Sequence, residues 1–371
     1  MTGRVYLDYN ATAPLRPEAR EAMIAAMDVL GNPSSVHSEG RAAKAVVDKA
    51  RGQVARLMGC YPDDLVFTGS ATEAAALAIP EFATVSGSEV EHDAVAAWIN
   101  HPDWDVDKNG KLTGTFRGQP LTESIWDDLV AVQAANSETG VLQNTMPIAQ
   151  SLWALKRDVK ILVDGVQAIG KIPFSTDRSG ADYLMASAHK IGGPKGIGAL
   201  YVKRGLSTAP RIPGGGQEMG RRSGTENIVG IAGFGAAAEA AARDLKDGVW
   251  DRVAKLRNIL EKAIEAASKH TILVGKGADR LPNTTCFITP GWKGETQVMV
   301  MDLAGFAISA GSACSSGKVK SSRVLKAMGY DDTEAASAIR VSLGPQTTED
   351  DVLRFAETWL KAEQKFHAKA A

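Results

Sequence analysis

The residue in this 371-residue chain whose setting most invites chemistry is Lys190. It stands in Ser187-Ala-His-Lys190, between an apolar run, Asp182 to Ala186, and the glycine-rich stretch Gly192, Gly193, Gly196 and Gly198. The run reads as a buried strand and Gly198 to Val202 as its partner. Burial disfavours an ammonium, and a partly neutral amine condenses with an aldehyde to a Schiff base. Alone, Ser187-Ala-His-Lys190 reads rather as a solvated surface lysine in a loop, so the decision rests on its company. Leu65-Val-Phe-Thr68 runs into Gly69-Ser-Ala-Thr72 and then an Ala-rich helix, an arrangement that aims N–H groups and a positive dipole end at a phosphate. No Gly-Lys-Ser/Thr follows, so this is no Walker loop, and the glycines after Lys190 do not open a first βα unit as a dinucleotide site requires. Asp164 ends the strand Lys160–Asp164 and precedes Gly165 and Gln167; taken alone, a helix-capping carboxylate is one reading that stays open. His92 follows a strand-like segment, and Arg340 lies in Ile-Arg-Val-Ser-Leu, where an arginine forms either a surface ion pair or a carboxylate fork. Cys314 is flanked by Ser309-Ala-Gly-Ser-Ala and Ser-Ser-Gly-Lys318, small residues that suit a reactive thiol better than a packed one. A nearby Lys318 or Lys320 would raise its thiolate fraction. Cys60 and Cys286 sit among apolar residues, as inert buried cysteines do.

The elements that must position these groups alternate strand, turn and helix. Pro17 to Leu30 and Ser38 to Met58 have helical spacing, the second with Ala42, Ala45, Val46, Ala50, Val54 and Leu57 on one side. Leu129 to Ala135 meets the turn Asn136-Ser-Glu-Thr-Gly140; Ile148 to Leu155 is helical. Helical patterning resumes near Glu226 and runs, with a break at Asp247-Gly248, to about Lys269. Such repeats predict a three-layer α/β fold with a doubly wound, mainly parallel sheet, its function gathered at the carboxyl ends of the strands. Ser70, Thr72, His92, Asn136, Asp164, Gln167, Ser187, His189 and Lys190 all fall at such ends. From Thr271 short strands alternate with helices, which predicts a smaller α+β unit. The expected division is 15–247 for the large domain, with 1–14 and 248–371 forming the small one.

Composition narrows the partners. With 44% hydrophobic and 23% charged residues and a formal net charge of −1, the chain is an ordinary globular one without a basic field for nucleic acid. No apolar run approaches the roughly 20 residues that span a bilayer, and the first residues lack the apolar segment of a signal peptide. Three cysteines are too scattered for a disulfide framework, and the six histidines never pair at metal-ligand spacing. A cytoplasmic enzyme without a metal is expected.

Together, Tyr6-Leu-Asp-Tyr-Asn-Ala-Thr12, Gly31-Asn-Pro-Ser-Ser35, Ala71-Thr-Glu73, Glu91-His92, Asp164-Gly-Val-Gln167, Ser187-Ala-His-Lys190, Arg222-Ser-Gly-Thr225, Gly311-Ser-Ala-Cys-Ser315 and Ile339-Arg-Val-Ser-Leu-Gly344 resemble the class V aminotransferase family of pyridoxal-phosphate enzymes, and within it the cysteine desulfurases with the longer cysteine loop. The resemblance covers nearly the whole chain. It implies that Lys190 holds pyridoxal phosphate as a Schiff base and moves the substrate Cα proton, that Asp164 pairs with the ring nitrogen, that Gln167 bonds the phenolic oxygen, and that His92 stacks on the ring. Ala71, Thr72, Ser187 and His189 would hold the phosphate, and Thr225 would reach the site of a second subunit in a homodimer. Arg340, with Ser137 and Asn32, would bind the substrate, L-cysteine, and Cys314 would take its sulfur as a persulfide for a sulfur acceptor or iron–sulfur scaffold, in cluster assembly or tRNA thiolation. A selenocysteine lyase or an aminotransferase of the same fold, and a non-catalytic scaffold, are the alternatives. The family usually has Asn-Asn-Glu where this chain has Asn136-Ser137-Glu138, so Ser137 offers a shorter side chain to the substrate carboxylate. The segment between Ile79 and Asn136 is short for the family, and Ala74 to Ala76 replace more polar residues.

Overall fold

The computed structural model describes residues 3–116, 119–120, 127–206, 208–311 and 321–370. Among the described residues nine strands form the main sheet, in the order Leu65–Thr68, Gly198–Val202, Tyr183–Ser187, Lys160–Asp164, Leu129–Gln133, Val85–Ser88, His101–Val106, Leu112–Phe116 and Gln119–Pro120. Pairing directions leave seven strands running one way, with Gly198–Val202 and Leu112–Phe116 opposed. The sheet is therefore mainly parallel, as the alternation of elements predicts.

Its central strands are buried on both faces, and successive side chains go to opposite layers. Val130, Val132, Ile161, Val163 and Leu184 pack with Val47 and Val54 of the helix Ser38–Met58, with Ile231 and Phe234 of Ile228–Lys246, and with Leu152 of Thr145–Leu155. Leu129, Ala131, Leu162, Met185 and Leu200 pack on the other side with Ala74, Ala75 and Leu77 of Ala71–Ala78. Three layers result.

The buried stripe of Ser38–Met58 is Ala43, Val47, Ala50, Val54 and Leu57, with Met58 beside it. Ala42 and Ala45 are exposed and Val46 only partly covered, so the expected stripe is one residue out of phase at its start. Alanines on every side leave the helical phase undetermined until Ile228–Lys246 packs against one of them.

A second sheet, antiparallel, has the order Ile272–Leu273, Thr284–Ile288, Ala338–Ser342, Ser309–Ala310. Phe287 on it meets Trp359 of the helix Glu349–Ala370 edge-on, with centroids 5.0 Å apart. Val5 and Leu7 belong to the same apolar core as Phe287, Ile339 and Trp359. Among the described residues no helix is long and apolar enough to cross a membrane.

Candidate active site

Because the parallel strands all end on one side of the main sheet, their following turns converge. They enclose, with Asn10 and Arg340, a cavity of about 200 Å³ lined by Ser70, Ala71, Thr72, His92, Gln133, Ser137, Asp164, Gln167, Ser187, His189 and Lys190 among others. Lys190 lies in a short turn after Tyr183–Ser187 and donates from Nζ to the carbonyls of Asn10 at 2.7 Å and Ala11 at 2.9 Å. Asp164 is buried, with Oδ1 accepting from the Val166 N–H at 2.9 Å. Burial raises its pKa, against the pull of His92, that N–H and Lys190. A carboxylate held at such a cost against a cavity is a ready partner for a cation placed there.

The helix Ala71–Ala78 opens at this cavity. Ser70 caps it, accepting from the Glu73 N–H at 3.2 Å, so the Ala71 and Thr72 N–H groups carry the positive end of the helix. Gly198 lets the neighbouring strand approach: a Cβ there would stand 2.6 Å from the Ser70 carbonyl carbon. His92 does not end a strand. It caps the short helix Asp93–Ala96, its Nδ1 accepting from the Ala94 N–H at 3.1 Å; the strand already stops at Ser88.

His189 Nδ1 lies 3.2 Å from Thr12 Oγ1. Burial first, then the charges of Lys190, Lys195 and Lys171, push its pKa down to about 4, so the ring is neutral near pH 7. Between the ordinary value of about 6.5 and about 4, the unfolded chain binds a proton that the folded chain refuses, so stability is lost as pH falls through this window. Glu138 works in the opposite sense: burial raises its pKa to about 7, so folding gains from its proton as pH falls. The comparison with a variant isolates the histidine. In urea unfolding of the cofactor-free chain, His189→Asn should lose less stability than the wild type between pH 7 and pH 5; equal losses would refute the assignment.

Arg340 is 2% exposed. Its guanidinium donates to Asp8 Oδ1 at 2.7 Å and to the carbonyl of Ser137 at 3.0 Å, while its Nε is buried without a partner among the described residues. The fork thus already holds one carboxylate, that of Asp8, a residue that spacing alone did not single out. Asn32 is exposed and turns its side chain onto the Ser34 N–H; it does not line the cavity. Thr225 lines a separate cavity with Gly69, Gly196, Arg222 and Asn227. Cys314, Lys318 and Lys320 lie outside the described residues.

Two polar residues at the centre were missed by reading motifs singly. Asn10 receives both Lys190 Nζ and Gln167 Nε2 on its carbonyl, the latter at 3.0 Å. It also reaches the second sheet through Thr284 Oγ1 and Asn283 Nδ2. Lys171 is the other, and its one signal in the sequence is its place four residues after Gln167, on the same side of a helical turn.

The chain matches the family model described as "Aminotransferase class-V" over residues 5–355. It is 39% identical to a cysteine desulfurase of Enterobacter agglomerans, over 94% of this chain and 90% of that one. It is also 39% identical to a cysteine desulfurase of Cereibacter sphaeroides, over 95% and 94%. Among solved structures, a NifS-like protein from Rickettsia africae superposes with a TM-score of 0.86 at 32% identity, covering 96% of this chain and 99% of that one.

Proposed function

The chain belongs to the class-V aminotransferase family, and from that premise we propose that it is a cysteine desulfurase, dependent on pyridoxal phosphate, that converts L-cysteine to L-alanine and carries the sulfur as a persulfide on Cys314. The observation that carries this reading is one cavity holding Lys190, the buried carboxylate of Asp164 and the N-terminus of Ala71–Ala78.

The residues present fit the cofactor. Asp164 offers a charge that needs a cationic partner, Lys190 an amine, and Ala71, Thr72, Ser187 and His189 donors for a phosphate. When bound, the cofactor supplies an electron sink for the carbon next to the substrate's amino group. Asp164 would keep the ring nitrogen protonated, His92 would cover the ring face, and Gln167 would turn an N–H to the phenolic oxygen. Lys190 would take the proton from the substrate Cα and return protons as the product forms. Arg340 would orient the substrate carboxylate, with Ser137 beside it. Cys314 Sγ then forms an S–S bond to the substrate sulfur as the substrate's Cβ–S bond breaks. The electron pair of that bond stays with Cβ, which takes a proton and leaves as part of alanine.

The sulfur passes on to an acceptor, an iron–sulfur scaffold or a tRNA-thiolation protein, in the cytoplasm. Two subunits would complete two sites, with Thr225 reaching the partner's phosphate. The packing of Val5 and Leu7 with the core of the second sheet supports the division into 15–247 and 1–14 with 248–371.

The test is to load the chain with pyridoxal phosphate, add L-cysteine and a thiol reductant, and measure alanine and sulfide. One alanine per sulfide is expected; formation of a keto acid instead would indicate an aminotransferase. Asp164→Asn probes the carrying observation. The near-isosteric amide keeps an oxygen for the Val166 N–H but loses the charge, so kcat should fall by about 10²-fold, the scale of one lost electrostatic stabiliser. Because burial disfavours the ionised carboxylate, the thermal midpoint of the cofactor-free chain should stay level or rise. An unchanged kcat would refute the role of Asp164.

A further inference from the structure

Lys171 is a buried amine that none of these steps uses. It is 2% exposed and lies in the helical turn after Lys160–Asp164, where the Ala168 and Ile169 N–H groups both reach the carbonyl of Gly165. Gly170 lets the chain turn past it at φ +77, where a Cβ would stand 2.8 Å from Ile191 Cγ2. Burial, and then the charges of Lys190 and Arg340, drive the Lys171 pKa well down. A lysine in so unfavourable a place needs oxygens to receive its hydrogens, and it has two: Gln167 Oε1 at 2.7 Å and Asn10 Oδ1 at 3.0 Å.

The consequence concerns the other end of the Gln167 amide. With Oε1 held by Lys171, the NH2 group must face the opposite way, and there it meets the carbonyl of Asn10 at 3.0 Å. That carbonyl also receives Lys190 Nζ at 2.7 Å. Without Lys171 the amide loses the partner of its oxygen and is held in this orientation by the Asn10 carbonyl alone; turned over, it would take the donor away from the cavity. We propose that Lys171 is a positioning residue that, by holding Gln167 Oε1 and Asn10 Oδ1, determines which face of the Gln167 amide is a donor toward the Lys190 cavity. Its effect reaches the cofactor only through Gln167 and Asn10. The proposal rests on the reading that pyridoxal phosphate is held at Lys190.

The test is a double-mutant cycle on the cofactor-loaded chain, read by the visible absorbance band and its pH midpoint, with the thermal midpoint recorded alongside. Lys171→Met should displace the pH midpoint by at least about half a unit, because a hydrogen bond to one protonation state shifts the balance between the two. In a Gln167→Ala background the same substitution should displace it by much less. A merely structural lysine would lower the thermal midpoint in both backgrounds and leave the band where it was; that result overturns the proposal. A displacement of equal size in both backgrounds also overturns it, since Lys171 would then act by charge and not through the amide. If Lys171→Met does not fold, Lys171→Gln, neutral and too short to reach both oxygens, goes through the same cycle with the same outcomes. A wild-type chain that develops no visible band overturns the cofactor reading and this proposal together, whereas a normal wild-type band with no displacement overturns this proposal alone.

Discussion

Lys190→Ala should reduce alanine formation from L-cysteine by at least about 10³-fold, the scale on which a positioned acid–base group contributes, and should abolish the covalent attachment of pyridoxal phosphate. The fold should survive. Lys190 Nζ is held by two carbonyls, those of Asn10 and Ala11. Removing it leaves the Asn10 carbonyl still paired with Gln167 Nε2, so the stability change should be near the roughly 1 kcal/mol of an ordinary hydrogen bond. The proposed phosphate donors and Asp164 are untouched, so the aldehyde should still bind, reversibly, and wash out on dialysis. Lys171 cannot take over the work, since its amine is buried and committed to Asn10 and Gln167. Mass spectrometry after borohydride reduction reads the attachment, and alanine release reads the chemistry. A variant within tenfold of the wild-type rate would remove Lys190 from the mechanism.

Cys314→Ala should be nearly as severe for sulfur transfer, with cysteine-dependent sulfide falling by at least about 10²-fold in the presence of reductant. The two other thiols explain why no rescue is expected. Cys286 is fully buried on the strand Thr284–Ile288, where burial and the charge of Glu138 push its thiol pKa up. Cys60 is partly buried, and burial with the nearby Asp64 and Asp177 pushes it up to about 12. Neither thiolate is populated near pH 7, and the thiolate is the nucleophile. The cofactor's visible band should be unchanged in this variant, because the proposed mechanism gives Cys314 no part in holding the ring. Sulfide release at the wild-type rate would disprove the persulfide step.

The motifs Ser187-Ala-His-Lys190, Asp164-Gly-Val-Gln167 and Ala71-Thr-Glu73 were legible as chemistry because each joins an apolar run to a turn, and a parallel sheet delivers all such turns to one edge. The same local pattern identified the strands Leu65–Thr68, Lys160–Asp164 and Gly198–Val202 at their observed bounds. Where a pattern is weak the reading slipped. The alanines of Ser38–Met58 left its buried face ambiguous, and the strand expected to lead into His92 ends at Ser88, four residues earlier.

Residue types and their order thus determined the family, the layered sheet and most of the polar groups that line the Lys190 cavity, since each of these is set by neighbours along the chain. Only the tertiary structure decided what each group touches. It pairs Arg340 with Asp8, residues 332 positions apart, and it keeps Asn32 and Thr225 out of the Lys190 cavity. It also puts Asn10, from the start of the chain, under Lys190, Gln167 and Lys171. The physical reason is that a buried polar group must find a partner wherever the packed chain supplies one, and separation along the sequence carries no record of that choice.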